Sequence, residues 1–194
     1  RIMKDMDSIY NGLQTLLRPL REHDIANGKT DKYRPRLVMT LGNHEDRVLR
    51  AENESPELEG LLPDMEQMYK EFGWETYPFL EPVTIGGVSF CHYFCSGPMG
   101  RPVTTAAQLL GKKHMSCIAG HQQGYQIATA FRADGATMTG IIAGSFYSHK
   151  ENYLGPQGNR HWRGMLMLHD VHDGQFYTQQ LSLDHVKRKY GGWE

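Results

Sequence analysis

The chain has 194 residues, of which 39% are hydrophobic and 22% charged, with a formal net charge of -1 and a pI of about 6.9. This length supports one domain with its own core, and the composition is typical of a soluble globular protein. The near-neutral charge argues against a broad nucleic-acid surface, while a local one stays open. No apolar run approaches the ~20 residues of a membrane span. Three cysteines without framework spacing favour a reducing compartment.

A helix is predicted at the start of the chain, up to about Glu22. Apolar residues recur there at three- and four-residue spacing, which gives a single hydrophobic stripe. The stripe consists of Ile2, Met6, Ile9, Leu13, Leu16, Leu17 and Leu20. Because this pattern begins at Arg1 without a capping residue, we expect the chain to be a fragment of a longer protein.

A short apolar strand is predicted at residues 36–41, and it runs directly into the sequence GNHE at residues 42–45. A second helical stretch is predicted from Ser55 to Phe72. Ser55 is expected to cap its start, because it is followed by proline, which favours the first position of a helix. Gly60 and Pro63 are expected to split this helix, and glycine at position 73 is expected to end it.

From residue 83 the hydrophobic pattern alternates, which predicts mostly strands. Three hairpins are expected, at residues 83–92, 125–143 and 164–183, with turns that contain GG, DG and DG. Between them the sequence predicts a helix at 103–111, a short strand at 115–119 and a glycine-rich loop at 147–162. The predicted fold is therefore α/β, a layered β-sandwich flanked by helices, in a single domain over residues 1–194.

Three predicted strands end at side chains that are able to bind a metal ion. The first strand ends at Asn43 and His44, the second at His92 and the third, after Gly120, at His121. Since the carboxyl ends of neighbouring strands meet at one crevice in α/β sheets, we expect these groups to converge. An amide oxygen with imidazole nitrogens suits manganese, iron, nickel or zinc better than calcium. A lone strand-end histidine is more often a hydrogen-bonded surface or core group, so the hypothesis depends on the ordered set.

The order of these groups resembles the calcineurin-like metallophosphoesterases. Their motifs run D-x-H, GDxxD, GNH[DE], a single His and GHxH. Residues 42–45 match the third motif in full, His92 fits the fourth, and Gly120 with His121 fits the first half of the fifth. The resemblance spans about residues 1–183. It implies two divalent metal ions and hydrolysis of a phosphodiester or phosphomonoester through a metal-activated hydroxide.

Carried over residue by residue, the resemblance implies that Asn43, His92 and His121 bind the second metal ion. His44 would be the catalytic residue, which contacts the phosphate or protonates the leaving oxygen. Glu45 would either orient His44 or cap the following helix. Gln123 stands where the family has its last histidine, so it is expected as a metal or substrate contact through an amide oxygen, a weaker ligand than imidazole.

The first two family motifs do not occur before Gly42, so we expect them, with the N-terminal strands that carry them, to precede Arg1. The expected partner is a phosphate-ester substrate, with nucleotides and nucleic acid among the candidates, and neither a membrane nor an oligomeric state is predicted. The expected compartment is the cytoplasm. The alternative is a degenerate member of the family, marked by Gln123, that serves as a binding or scaffold module without catalysis.

Other polar residues are candidates for contact with a substrate. Arg47 and Arg50 follow GNHE, where solvated helix charge is the simpler interpretation and phosphate steering the alternative. The long loop carries further candidates for substrate contact, since long loops in compact domains are often functional. These candidates are His149, Tyr153, Arg160 and His161.

Overall fold

The computed structural model describes residues 2–26, 33–58 and 60–191, with side chains from Met6 onward. The chain divides into two compact units, residues 1–79 and residues 80–194. Both units contain helices and sheet, which confirms the α/β class. The single domain and the metallophosphoesterase type of fold stay predictions. None of the described helices is both long enough and apolar enough to cross a membrane.

The described part of the first unit combines helices with a two-stranded parallel sheet. In chain order its elements are α1 (Ile2–Ala26), β1 (Val38–Thr40), α2 (Asn43–Glu54), a 3-10 turn (Pro56–Leu58), α3 (Met65–Glu71) and β2 (Glu75–Tyr77). Strand β2 pairs in parallel with β1 and was not predicted, because three residues are too few to display an alternating pattern.

The core of the first unit forms where α1 and α3 pack beside β1. Its buried residues are Leu13, Leu41, Met68 and Tyr69. Most of the described stripe of α1 is buried or half-buried, but Leu16 is 60% exposed although it belongs to the predicted stripe. The helix also continues past Glu22 to Ala26, with Pro19 inside it.

Ser55 does not cap the stretch predicted to be helical up to Phe72, because α2 extends to Glu54 and Ser55 closes it by donating its N–H to the carbonyl of Ala51 at 3.0 Å. Only a 3-10 turn follows. The helical part begins later, where the side chain of Asp64 caps α3 by accepting the N–H of Gln67 at 2.8 Å. The predicted interruption is confirmed, and Gly73, with φ of +83°, follows the end of α3.

The second unit confirms the three predicted hairpins. Its elements are β3 (Val83–Ile85), β4 (Val88–Cys91), α4 (Ala106–Lys113), β5 (Cys117–Ala119), β6 (Gln126–Phe131), β7 (Thr137–Ile142), a 3-10 turn (Asn152–Leu154), α5 (Gly155–Gly158), β8 (Gly164–His172), β9 (Gln175–Ser182) and α6 (Leu183–Tyr190). The segment 147–162 is therefore not wholly irregular, since it contains a 3-10 turn and the single turn α5.

The larger sheet has the strand order β3-β4-β5-β7-β6, in which β4, β5 and β7 are parallel and the two outer pairs are antiparallel. One cluster of buried residues joins Leu109 of α4 to Cys91 and Cys117. A second cluster joins Val88, Ile118 and Ile141 to the hairpin β8–β9. Helix α4, the sheet and this hairpin therefore form three layers.

Gly140 in β7 allows α4 to approach the sheet closely. A Cβ atom at this position would lie 2.8 Å from the carbonyl oxygen of Ala106 and 2.9 Å from Cγ of Leu110. Gly111 lies within α4 itself and has no atom within 4 Å of a Cβ built there. The two glycines therefore form a matched pair, one constrained by packing and one not.

We expect Gly140→Ala to lower the free energy of unfolding by about 1–3 kcal/mol, because the added methyl group overpacks the contact between helix and sheet. Gly111→Ala should instead leave stability unchanged or raise it by up to about 1 kcal/mol, since alanine favours a helix. Urea denaturation followed by circular dichroism measures both. Equal stability of the two variants would contradict this packing.

Candidate functional site

The carboxyl ends of the parallel strands bring two of the predicted ligands to one edge of the sheet. His92 directly follows β4, and His121 follows β5 after Gly120. Strand β4 pairs with β5 so that Cys91 lies opposite Ala119. The N–H of Gly120 then donates to the carbonyl of Cys91 at 3.4 Å, which extends this pairing toward the histidines.

The imidazole rings of His92 and His121 are in contact. Nε2 of His92 lies 3.1 Å from Nδ1 of His121, and the ring planes cross at 71° with centroids 5.0 Å apart. The ring of Tyr93 lies 4.9 Å from that of His121, and its hydroxyl donates to the carbonyl of Gly100 at 3.0 Å. The sequence analysis did not predict Tyr93, whose ring packs against both imidazole rings. Its position next to His92 is the one sequence feature that could have indicated it.

The backbone at His121 is in the left-handed region, with φ of +62°. The N–H of Gln122 donates to the carbonyl of Gly120 at 2.7 Å, which closes a three-residue turn centred on His121. Positive φ at the centre of such a turn is rare and strained for a residue other than glycine, and strain of this kind concentrates at functional sites. The tight turn that follows β5 is therefore centred on the histidine and not on a glycine.

The separation of the two ring nitrogens fits one shared metal ion. Two nitrogens that each lie ~2.1 Å from an ion, at an angle of about 90–110°, are about 3.0–3.4 Å apart. The observed 3.1 Å lies within this range and also fits a hydrogen bond between neutral imidazoles. Within residues 2–26, 33–58 and 60–191, no group of three or more His, Cys, Asp or Glu side chains is arranged to hold a metal.

Gln123 contacts the long loop. Its side-chain nitrogen donates to the hydroxyl of Tyr153 at 2.7 Å. The carbonyl oxygen of the same amide, which is the atom able to bind a cation, is not the atom used in this bond. Tyr153 thereby links the loop to the turn that carries His121 and Gln123.

The GNHE residues lie in the first unit, at the start of α2. Asn43, His44 and Glu45 form its first turn, and only Leu41 and Gly42 separate this turn from β1. A carboxylate oxygen of Glu45 accepts the N–H of Gly42 at 2.8 Å. Of the two roles left open for Glu45, this bond supports the helix cap.

Two further features of the first unit concern charge. Arg50 pairs with Asp46 at 2.9 Å on the same helix, which supports its interpretation as solvated helix charge. Burial, together with the nearby carboxylate of Glu45, raises the pKa of Tyr69 to about 12. The Tyr69 hydroxyl therefore stays protonated at neutral pH.

Two cysteines, in β4 and β5, belong to the hydrophobic core. Cys91 and Cys117 are buried free thiols. Burial raises the pKa of both, that of Cys117 to about 11. Both residues belong to a buried cluster with Leu109, so they act as small core side chains.

A hydrogen-bonded cluster around His161 follows β7 and was only partly predicted. Nδ1 of His161 donates to the carbonyl of Gly158 at 2.7 Å, which leaves Nε2 as the acceptor. Nε2 then lies 3.0 Å from the hydroxyl of Ser145, 3.2 Å from that of Tyr147 and 3.3 Å from Nε of Arg163. His161 was a candidate because it lies in the long loop. No motif or residue spacing in the sequence predicted that Ser145, Tyr147 and Arg163 would contact it.

Comparison of this chain with protein-family models, with curated proteins and with solved structures finds no match. Any functional assignment therefore rests on the residues and geometry described above.

The cap at the start of α2 can be tested with a matched pair of substitutions. Glu45→Ala removes the acceptor of the Gly42 N–H and should lower the free energy of unfolding by about 1–2 kcal/mol. Glu45→Gln keeps an acceptor oxygen and should cost no more than about 0.5 kcal/mol. Chemical denaturation measures both variants. If glutamine destabilised the protein as much as alanine, the hydrogen bond would not be the source of the effect.

Proposed function

We propose that this chain forms part of a metal-dependent phosphoesterase, similar to the calcineurin-like enzymes, that hydrolyses a phosphodiester or a phosphomonoester. The observation that supports it is the 3.1 Å contact between His92 and His121 at the carboxyl ends of two parallel strands. The order of the motifs predicted that these two side chains would meet. The strained backbone at His121 adds support, since it holds the imidazole at a conformational cost.

In this proposal His92 and His121 hold a divalent ion of a dinuclear site, and Asn43 keeps the ligand role that the family resemblance implies. Manganese, iron, nickel and zinc suit these nitrogen and oxygen donors. The ions, when bound, would polarise the phosphoryl oxygens and activate water. Gln123 contributes as a ligand or substrate contact, and its bond to Tyr153 orients its amide. The family's D-x-H and GDxxD residues, which complete the site in the resemblance, do not occur ahead of Gly42 in this sequence.

His44 is the proposed catalytic residue. It is exposed in the first turn of α2, where its imidazole is accessible to a substrate phosphate. A histidine in this role contacts the phosphate or gives a proton to the leaving oxygen, and such proton transfer contributes about 10²–10⁴-fold to a rate. The cap made by Glu45 fixes the backbone that carries His44.

The proposed setting is the cytoplasm, which the three free thiols favour. The proposed substrate is a small phosphate ester, a nucleotide or nucleic acid. The alternative function is a binding or scaffold module of the same fold without catalysis. Gln123 favours this alternative, because it stands where the family has its last histidine.

The proposal predicts manganese-dependent hydrolysis of a chromogenic phosphodiester or phosphomonoester by the protein. His44→Ala should lower kcat roughly 100-fold or more, because the proton donor is lost. His185→Ala is the matched control, since it removes an exposed histidine of α6, and it should leave the rate unchanged.

Two outcomes would contradict the proposal. One is the absence of turnover with every divalent metal tested, although the protein is folded, which would favour the binding module. The other is equal turnover in His44→Ala and His185→Ala, which would remove His44 from the reaction.

A further inference from the structure

A second concave site lies in the second unit, between the loop before β8 and helix α6. Its volume is about 280 Å³, close to the lower end, ~300 Å³, of pockets that take small molecules. Its charged and titratable lining residues are Arg160, His161, Arg163, Asp184 and Lys187. The pocket is therefore sized for a small group and is lined by three cations and one carboxylate.

The three cations are available for a ligand. In the parts of the chain that the structure describes, none of Arg160, Arg163 and Lys187 is ion-paired with a carboxylate. Within this described part, the carboxylate of Asp184, which also lines the pocket, forms no ion pair with any of the three. Most ion pairs elsewhere among the described residues join side chains that are close in the sequence, such as Asp46 with Arg50. Clustered cations that repel one another without a counter-charge stabilise a bound anion.

Arg163 is held in place by its neighbours. Its guanidinium lies 4.6 Å from the ring centroid of Tyr147, and its Nη2 donates to the side-chain oxygen of Asn159 at 3.4 Å. Asn159 is fixed in turn, because its amide nitrogen donates to the carbonyls of Glu151 and Gly155 at 2.7 Å each. An ordered guanidinium loses less conformational entropy on binding a ligand than a mobile one.

The N-terminus of α6, which borders the pocket, is not the source of the proposed binding. The hydroxyl of Ser182 already accepts the N–H of His185 at 3.1 Å, so the protein caps this helix itself. The charge that selects a ligand comes from the side chains of Arg160, Arg163 and Lys187, and His161 is already committed as an acceptor of hydrogen bonds.

We propose that this pocket binds a phosphate group, free or as the monoester of a small molecule. The two arginines supply planar donors that match the oxygens of a phosphate, and the lysine supplies a point charge. Binding here uses no metal ion and no residue of the histidine pair. The site is therefore independent of the proposed phosphoesterase reaction and can be tested whether or not that reaction occurs.

The test is a titration of the full chain with inorganic phosphate and, separately, with glycerol phosphate, in the presence of a chelator. NMR shifts of the arginine Nε–H groups and of the backbone from 145 to 187 report binding. We expect saturable shifts at the pocket. The double substitution Arg160→Gln and Lys187→Gln should weaken binding roughly tenfold, because two charge-assisted contacts are lost.

The matched control is the double substitution Arg188→Gln and Lys189→Gln, which removes the same charge from α6 at residues that do not line the pocket. It should change the affinity by no more than about twofold, the screened effect of remote surface charge. Equal weakening by the two double variants would overturn the proposal, because the effect would then be net charge alone. It would also be overturned if neither phosphate nor its monoester gave saturable shifts at the pocket.

Discussion

The parallel pairing of β4, β5 and β7 is the constraint on which the candidate site depends. Parallel strands leave a sheet at the same edge, so the residues after Cys91, Ala119 and Ile142 are brought together. The N–H of Ala143 donates to the carbonyl of Ala119 at 2.8 Å and continues the pairing past the end of β7. Antiparallel pairing of β4 with β5 would separate His92 from His121 by the length of a strand.

The same edge also organises the segment that follows β7. Ser145 forms an isolated β-bridge with Arg163, and its backbone carbonyl accepts the N–H of Gly164 at 2.9 Å. These contacts join the start of the loop to its end. Hydrogen bonds hold the loop between these ends. His161 is bonded to the carbonyl of Gly158 within the loop, and the hydroxyl of Tyr153 accepts a bond from Gln123. A rigid sheet edge and a closed loop together place polar side chains with little residual freedom, as binding sites require.

Features with a local cause were predictable from the sequence. The turn of the hairpin β3–β4 follows from two adjacent glycines, which adopt φ of +58° and +80° as a two-residue turn requires. The meeting of His92 and His121 followed from motif order, but their 3.1 Å separation and the strain at His121 depend on tertiary pairing. The exposure of Leu16 and the grouping of Arg160, Arg163 and Lys187 likewise arise from packing that no local pattern encodes.

The most direct test of the central claim, that His92 and His121 share one metal ion, is a zinc titration of the protein. Imidazole C–H resonances followed by NMR report each histidine separately. The account predicts that the resonances of His92 and His121 shift together at one stoichiometry, and that His92→Ala abolishes the shift at His121. If the two resonances moved independently, or if His92→Ala left the response of His121 unchanged, the shared metal site would be contradicted, and the 3.1 Å contact would be a hydrogen bond alone.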